Sequence, residues 1–160
     1  MAQSVTKNED ILKVEFGENI SLQPLGEGVE IYVSKNHTFG TDAVLLSHFA
    51  SPKKSDRAVD MGTGCGIIPF LWMRDKALKY AAGLEISHEG VALAEASCIK
   101  NGFLDVLDFF EGDIKDPFVH LKKGAYTLVT CNPPYKAAGT GIISESAADK
   151  KARHETARSE

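Results

Sequence analysis

Four short apolar runs recur through the middle of the chain: AVDMG (58–62), YAAGLEI (80–86), VLDFFEGDI (106–114) and AYTLVTC (125–131). The first three are separated by stretches with helical spacing. IIPFLWMRD (67–75) follows a glycine cluster, and EGVALAEASCIK (89–100) lies between Ser87, a good N-cap, and Asn101–Gly102, a typical C-terminal stop. The third and fourth runs are joined by a short connection through Pro117. Strands that alternate with helices imply βαβ units, and so a parallel sheet with right-handed crossovers. The expected fold class is α/β, a doubly wound parallel sheet. Ligands of such sheets bind beyond the carboxyl ends of the strands, so chemistry is expected just after each run.

Upstream of this pattern the character changes. Residues 9–37 read as β-rich, with NISLQPL and VEIYVSK flanking GEG, a hairpin loop whose glycines accommodate positive φ. Residues 1–40 are therefore expected to form a β-rich N-terminal extension, and 41–160 the doubly wound domain. A helix is expected over Ala43–Phe49, with Thr41 or Asp42 as N-cap and Pro52 closing it.

Composition narrows the classes of function. The chain has 160 residues, 43% hydrophobic and 25% charged, which suits one globular domain with a sizeable core. No run of 18 apolar residues suggests a membrane span, and the N-terminus MAQSVTKNEDILK lacks the apolar core of a signal peptide. A cytoplasmic protein with no membrane partner is expected. Cys65, Cys98 and Cys131 are odd in number and widely spaced, so buried free thiols are expected rather than disulfides or a structural metal. A net charge of −4 argues mildly against a tight polyanion binder but leaves room for an enzyme that visits RNA through a local patch.

The first strand end reads DMGTGCG (60–66). Gly62, Gly64 and Gly66 give G-x-G-x-G. Position 67 is Ile, so the dinucleotide fingerprint is not met, and no Lys-Ser/Thr follows to make a phosphate-cradling loop. Asp60 places a carboxylate where a ligand ammonium group would be welcome. Glu85, at the second strand end, can accept from two ribose hydroxyls, and Asp113, at the third, from an adenine amino group. A nucleoside with a cationic amino-acid tail fits these three acids better than a pyrophosphate does. The order and spacing of these groups resemble the Rossmann-like methyltransferases that use S-adenosyl-L-methionine (SAM).

The fourth run ends on Asn132-Pro133-Pro134-Tyr135. Each proline fixes its φ and removes an N–H, and Pro133 holds Asn132 extended. The loop is therefore stiff and rich in acceptors: the Asn132 side-chain oxygen and the Pro133 carbonyl. Two acceptors that hold both hydrogens of a planar –NH2 group would draw its nitrogen toward tetrahedral geometry and aim the lone pair at a sulfonium methyl. Tyr135 offers a face for stacking, worth about 1–3 kcal/mol for a nucleobase. The segment resembles the [DNS]-P-P-[YFW] signature of methyltransferases that act on planar amino nitrogens, whether of adenine or of a glutamine amide.

FGTDAVLLSHFA (39–50), and GIISESAADKKARHE after the Asn-Pro-Pro-Tyr segment, are similar to the bacterial tRNA1(Val) adenine-N6 methyltransferases of the methyltransferase small domain group. The resemblance spans about Asn19 to Glu155. It implies that Asp60, Gly62, Gly64, Gly66, Glu85 and Asp113 bind SAM and that Thr41 and Asp42 line its methionine end. It further implies that Asn132, Pro133, Pro134 and Tyr135 hold a target adenine of a tRNA anticodon loop. Lys150, Lys151, Arg153 and His154 read either as an RNA-contacting patch or as a solvated helix face. Members of the family continue past ARHE with the last strands of their sheet, so a sheet with an open edge and a truncated C-terminus is expected here. Two other readings stay open: a protein glutamine amide methyltransferase, and a non-catalytic SAM-fold binding module.

Overall fold

The computed structural model describes residues 2–133 apart from Ala77, with side chains from residue 9 onward. The chain opens with a helix, α1 (Ala2–Phe16), where the sequence reading placed the start of a β-rich extension. The reason for the difference is packing. Leu12 is buried and Phe16 packs against the same core one turn later, whereas the β-branched Ile11 and Val14 face solvent. An i, i+4 apolar pair with a surface to dock on outweighs β-branched propensity.

The hairpin forms as expected. β1 (Ser21–Gly26) and β2 (Val29–Val33) pair antiparallel through a turn at Glu27 and Gly28, whose φ angles of 51° and 78° are both positive, as tight hairpin turns require. β2 does not form a separate layer. Ile31 and Tyr32 are fully buried in the same cluster as Ile68, Phe70 and Leu93. Two polar contacts fix the docking: Tyr32 N–H donates to Ser97 Oγ at 2.9 Å, and the Asn101 amide both donates to Glu30 O and accepts from Glu30 N–H.

α2 (Thr41–Ala50) begins two residues earlier than expected. Gly40 is its N-cap, so Thr41 and Asp42 are its first two helical residues and neither caps it. Ser51, in the left-handed region, ends it just before Pro52. Then come β3 (Arg57–Met61), α3 (Ile67–Arg74), β4 (Tyr80–Glu85), α4 (His88–Asn101), β5 (Leu107–Glu111) and β6 (Leu128–Cys131), with a short 3₁₀ turn at Pro117–Val119 between the last two. All strand pairs of this sheet are parallel, in the order β5-β4-β3-β6. Ser87 caps α4 by accepting from Gly90 N–H, and Gly102 ends it in the left-handed region, as expected. Among the described residues β6 pairs only with β3 and ends the strand order. Cys65 and Cys98 are buried thiols, whereas Cys131 is exposed, against expectation, at the end of a strand that pairs on one side among the described residues. No helix among the described residues is long and apolar enough to cross a membrane.

Candidate active site

The parallel register brings the ends of β3, β4 and β6 together. Met61 pairs with both Leu84 and Cys131, so the glycine loop, Glu85 and Asn132 all leave the sheet at one level. Gly62 and Thr63 both donate their N–H groups to Leu84 O, which turns the chain sharply at the strand's end. Gly62 and Gly64 have φ of 71° and 59°, and a side chain added at either would point into open space. Gly66 is a glycine for another reason. Besides its φ of 84°, a Cβ there would lie 2.8 Å from the Phe109 ring, so this residue faces the core rather than the open side.

Glu85 is the organising group of this end. It is only 7% exposed, and both its oxygens accept from backbone: Oε2 from Gly64 N–H at 2.8 Å, Oε1 from Ser87 N–H at 2.9 Å. A carboxylate that ties the glycine loop to the helix N-cap preforms the turn, and each oxygen has a further lone pair for a ligand hydroxyl. Asp113 follows Gly112, whose N–H donates to the backbone carbonyl of Glu85 at 2.9 Å. Its own Oδ1 accepts from Lys115 N–H, which holds the side chain at the loop's start.

Asp60 is buried within β3, and its Oδ1 accepts from Thr130 Oγ1 of β6 at 2.7 Å. Burial pushes its carboxyl up to about 6, opposed by the Thr130 and Thr63 hydroxyls and reinforced by the charge of Glu85. The Thr63 hydroxyl acts on Asp60 from a geometry short of a full hydrogen bond, and its oxygen is buried with no partner among the described residues. Two residues beyond Thr130, and on the same side of the chain, Asn132 donates from Nδ2 to Asp42 Oδ2 at 2.8 Å. Asp42 thus meets the acceptor loop. Thr41 lies beside it in the first turn of α2. Pro133 is exposed, and Pro134, Tyr135 and the 150–154 cluster lie outside the described residues.

One contributor was missed in the sequence. The loop after β2 brings His37 Nε2 within 2.9 Å of Ser87 Oγ, and Asn36 Nδ2 donates to Glu89 Oε2 at 3.0 Å. A Cβ at Gly90 would lie 3.0 Å from Glu85 Cγ, 3.0 Å from Gly64 O and 3.1 Å from His37 Cε1, so Gly90 is where these three segments converge. Fifty residues separate His37 from Ser87, and no local pattern reveals such a pairing. Among the described residues, no cluster of His, Cys, Asp and Glu is arranged to hold a metal ion.

Fold and site together define a Rossmann-like methyltransferase architecture, and solved structures share it. A geranyl diphosphate C-methyltransferase from Streptomyces coelicolor, crystallised with Mg2+, geranyl diphosphate and S-adenosyl-L-homocysteine, superposes with a TM-score of 0.50 at 20% identity, over 59% of this chain and 35% of its own. A putative tRNA (m1A22) methyltransferase from Streptococcus pneumoniae does so with a TM-score of 0.50 at 13% identity, over 59% and 40%. The methyltransferase small domain family matches residues 28–150, and the chain belongs to that family. Curated relatives include tRNA1(Val) (adenine(37)-N6)-methyltransferases of Parabacteroides distasonis (29% identical; 60% of this chain, 40% of the relative) and Shewanella amazonensis (29%; 71% and 47%). A ribosomal protein uL3 glutamine methyltransferase of Bordetella pertussis is 28% identical over 72% of this chain and 37% of its own. The matches span less than half the length of each of these relatives.

The cofactor of this class is SAM, and the residues at the strand ends fit it. The space over Gly62 and Gly64 suits a close ligand, the Thr63 hydroxyl is a buried polar atom in want of a partner, and Glu85 sits where ribose hydroxyls would be read.

Proposed function

We propose that the chain binds SAM and transfers its methyl group to the exocyclic amino nitrogen of an adenine in tRNA, in the cytoplasm. The observation that carries this reading is the coupling of the two loops. Thr130 of β6 is hydrogen-bonded to Asp60 of β3, and Asn132 follows Thr130 on the same side, so the amino-nitrogen loop is registered to the glycine loop. The tRNA specificity rests on the names of the relatives and on the extent of the resemblance.

Glu85 would hold the ribose, the Gly62–Gly64 turn would let the cofactor's backbone-facing side approach, and Asp113 would take the adenine amino group. When bound, SAM supplies an electrophilic sulfonium methyl. The chain's own part in the chemistry is positioning. Asn132 Oδ1 and the Pro133 carbonyl accept the two hydrogens of the target –NH2, turn its lone pair out of conjugation and hold it in line. Orientation of this kind contributes up to about 7–11 kcal/mol in well-aligned systems. Tyr135 would stack on the base.

The test is methyl transfer from labelled SAM to unmodified tRNA, with uL3 and release factor offered in parallel. Label recovered as N6-methyladenosine after nucleoside digestion is expected, and its loss in Asn132→Ala completes the case. Label confined to protein would move the assignment to a glutamine amide. Binding of S-adenosylhomocysteine without any transfer would reduce the chain to a binding module.

A further inference from the structure

The hydrogen bond from Asn132 Nδ2 to Asp42 Oδ2 joins residues 90 positions apart on β6 and α2. A side-chain amide has a donor end and an acceptor end that differ little in shape, and a productive acceptor loop needs the oxygen end toward the substrate. A carboxylate only accepts, so whatever meets Asp42 must be the –NH2 end. The amide is planar, and its oxygen is therefore the end turned away from Asp42. We propose that Asp42 is a positioning residue of the acceptor loop: its carboxylate selects the amide orientation in which Asn132 presents its oxygen to the target amino group. The inference rests on the amino-nitrogen reading given above, and it removes Asp42 from the groups expected to line the methionine end of the cofactor.

Two further features support it. The first is Gly40, the N-cap of α2. Its φ of −107° is open to any residue, and glycine forgoes the side-chain cap that Ser, Thr, Asn or Asp would provide. A Cβ on Gly40 would meet Asp42 Oδ1, the tip of a flexible side chain, so a larger residue there would displace the carboxylate rather than the backbone. The helix gives up a side-chain cap, and the carboxylate lies back over its first turn. The second is anchorage. Ala43 and Ser47 of α2 are buried, and the buried Trp72 donates from Nε1 to Ser47 O at 3.1 Å, so Asp42 stands on an element fixed against α3. A positioning group is effective in proportion to the rigidity of its support. A carboxylate at a helix N-terminus is also favoured electrostatically in its ionised, purely accepting form.

The experiment compares the full chain with Asp42→Ala, Asp42→Asn and Gly40→Ala. It uses three readouts: calorimetric titration with S-adenosylhomocysteine, single-turnover methyl transfer to unmodified tRNA, and the side-chain NH2 resonances of Asn132, identified by their loss in Asn132→Ala. In Asp42→Ala, S-adenosylhomocysteine affinity should stay within about threefold while transfer falls by about 10–100-fold, the scale expected of a misplaced reacting group. The Asn132 NH2 pair should shift. Asp42→Asn fills the same place but can donate as well as accept, so it keeps a contact without selecting the orientation, and its rate and resonances should fall between those of the parent and of Asp42→Ala. Gly40→Ala should reproduce the Asp42→Ala pattern without touching the carboxylate chemically, and it decides the matter if Asp42→Ala does not fold. Tenfold weaker cofactor binding with unmoved Asn132 resonances would overturn the inference and return Asp42 to the cofactor. If the parent chain methylates no acceptor, the functional reading fails by itself. The resonances then decide: a shift in Asp42→Ala that is smaller but present in Asp42→Asn upholds the positioning role, and no shift refutes it.

Discussion

The two loops that define the site leave neighbouring strands yet are held by opposite means. The glycine loop is held through its backbone: Gly62 and Thr63 donate to Leu84 O, and Gly64 donates to the Glu85 carboxylate, which also holds Ser87. The end of β6 and the Asn132 that follows it are held through side chains reaching to other elements, Thr130 to Asp60 and Asn132 to Asp42. Backbone anchorage rests on glycines with positive φ rather than on side-chain partners within the loop, and it concentrates its dependence on one carboxylate. Side-chain anchorage spreads the dependence over two pairs, each replaceable by itself. The cofactor end should therefore fail abruptly and the acceptor end gradually.

Glu85→Ala attacks the concentrated point and should have the largest effect. It orphans two backbone N–H groups, at about 1–3 kcal/mol each. Denaturant melting should show that loss, and S-adenosylhomocysteine titration should show affinity at least about 100-fold weaker. A Glu85→Ala protein that melts and binds like the parent would erase the distinction between the two ends.

Asp60→Asn tests the strand both ends share. The Asp60 carboxyl is raised in the folded chain to about 6, so the folded state binds its proton more tightly than the unfolded chain does. Stability from this group therefore falls as pH rises from about 4 through 6. An uncharged isostere that still accepts from Thr130 should stabilise the protein by about 2–3 kcal/mol at pH 7.5, with the gain fading as the pH is lowered to 4. Melting at the two pH values checks the sign.

Thr130→Val removes one acceptor-end tie and should cost about 1–2 kcal/mol, with S-adenosylhomocysteine affinity nearly unchanged. Equal losses of cofactor affinity in Thr130→Val and Glu85→Ala would show that the two ends act as one unit.

His88→Gln sets the baseline away from the loops. Hydrogen bonds to Glu111 and Glu15 raise the His88 imidazole above its usual value, so the tie to α1 contributes below the unfolded-state pKa and is lost as pH rises through the folded one. The groups are exposed, and the effect should stay under about 1 kcal/mol, visible as a difference in melting between pH 5.5 and pH 8.5.

What could be read from the sequence follows the range of the interactions. The parallel strands, the Ser87 cap and the Gly102 stop depend on residues within a few positions of each other, and the structure places them as the sequence indicates. The glycine loop and the two acids beside it were legible because strand ends gather in one place once the fold class is known. α1 was not, because Leu12 and Phe16 reveal a helical face only when α4 is there to receive them. The Asp42–Asn132 and His37–Ser87 contacts join positions 90 and 50 apart, and nothing in either segment announces its partner. The different task of Gly66, meeting Phe109 rather than a ligand, was hidden for the same reason.

Cys131 gives the molecule a built-in reporter. It precedes Asn132 directly, it is exposed, and the other two thiols are buried. Partial burial and the nearby Asp60 raise its pKa, which makes it slow to alkylate at neutral pH and more reactive in mild alkali. Its labelling rate should therefore read the state of the acceptor loop while Cys65 and Cys98 stay silent. A nucleic acid or protein seated against that loop would leave a footprint on a single sulfur atom, measurable by mass spectrometry before any product has formed.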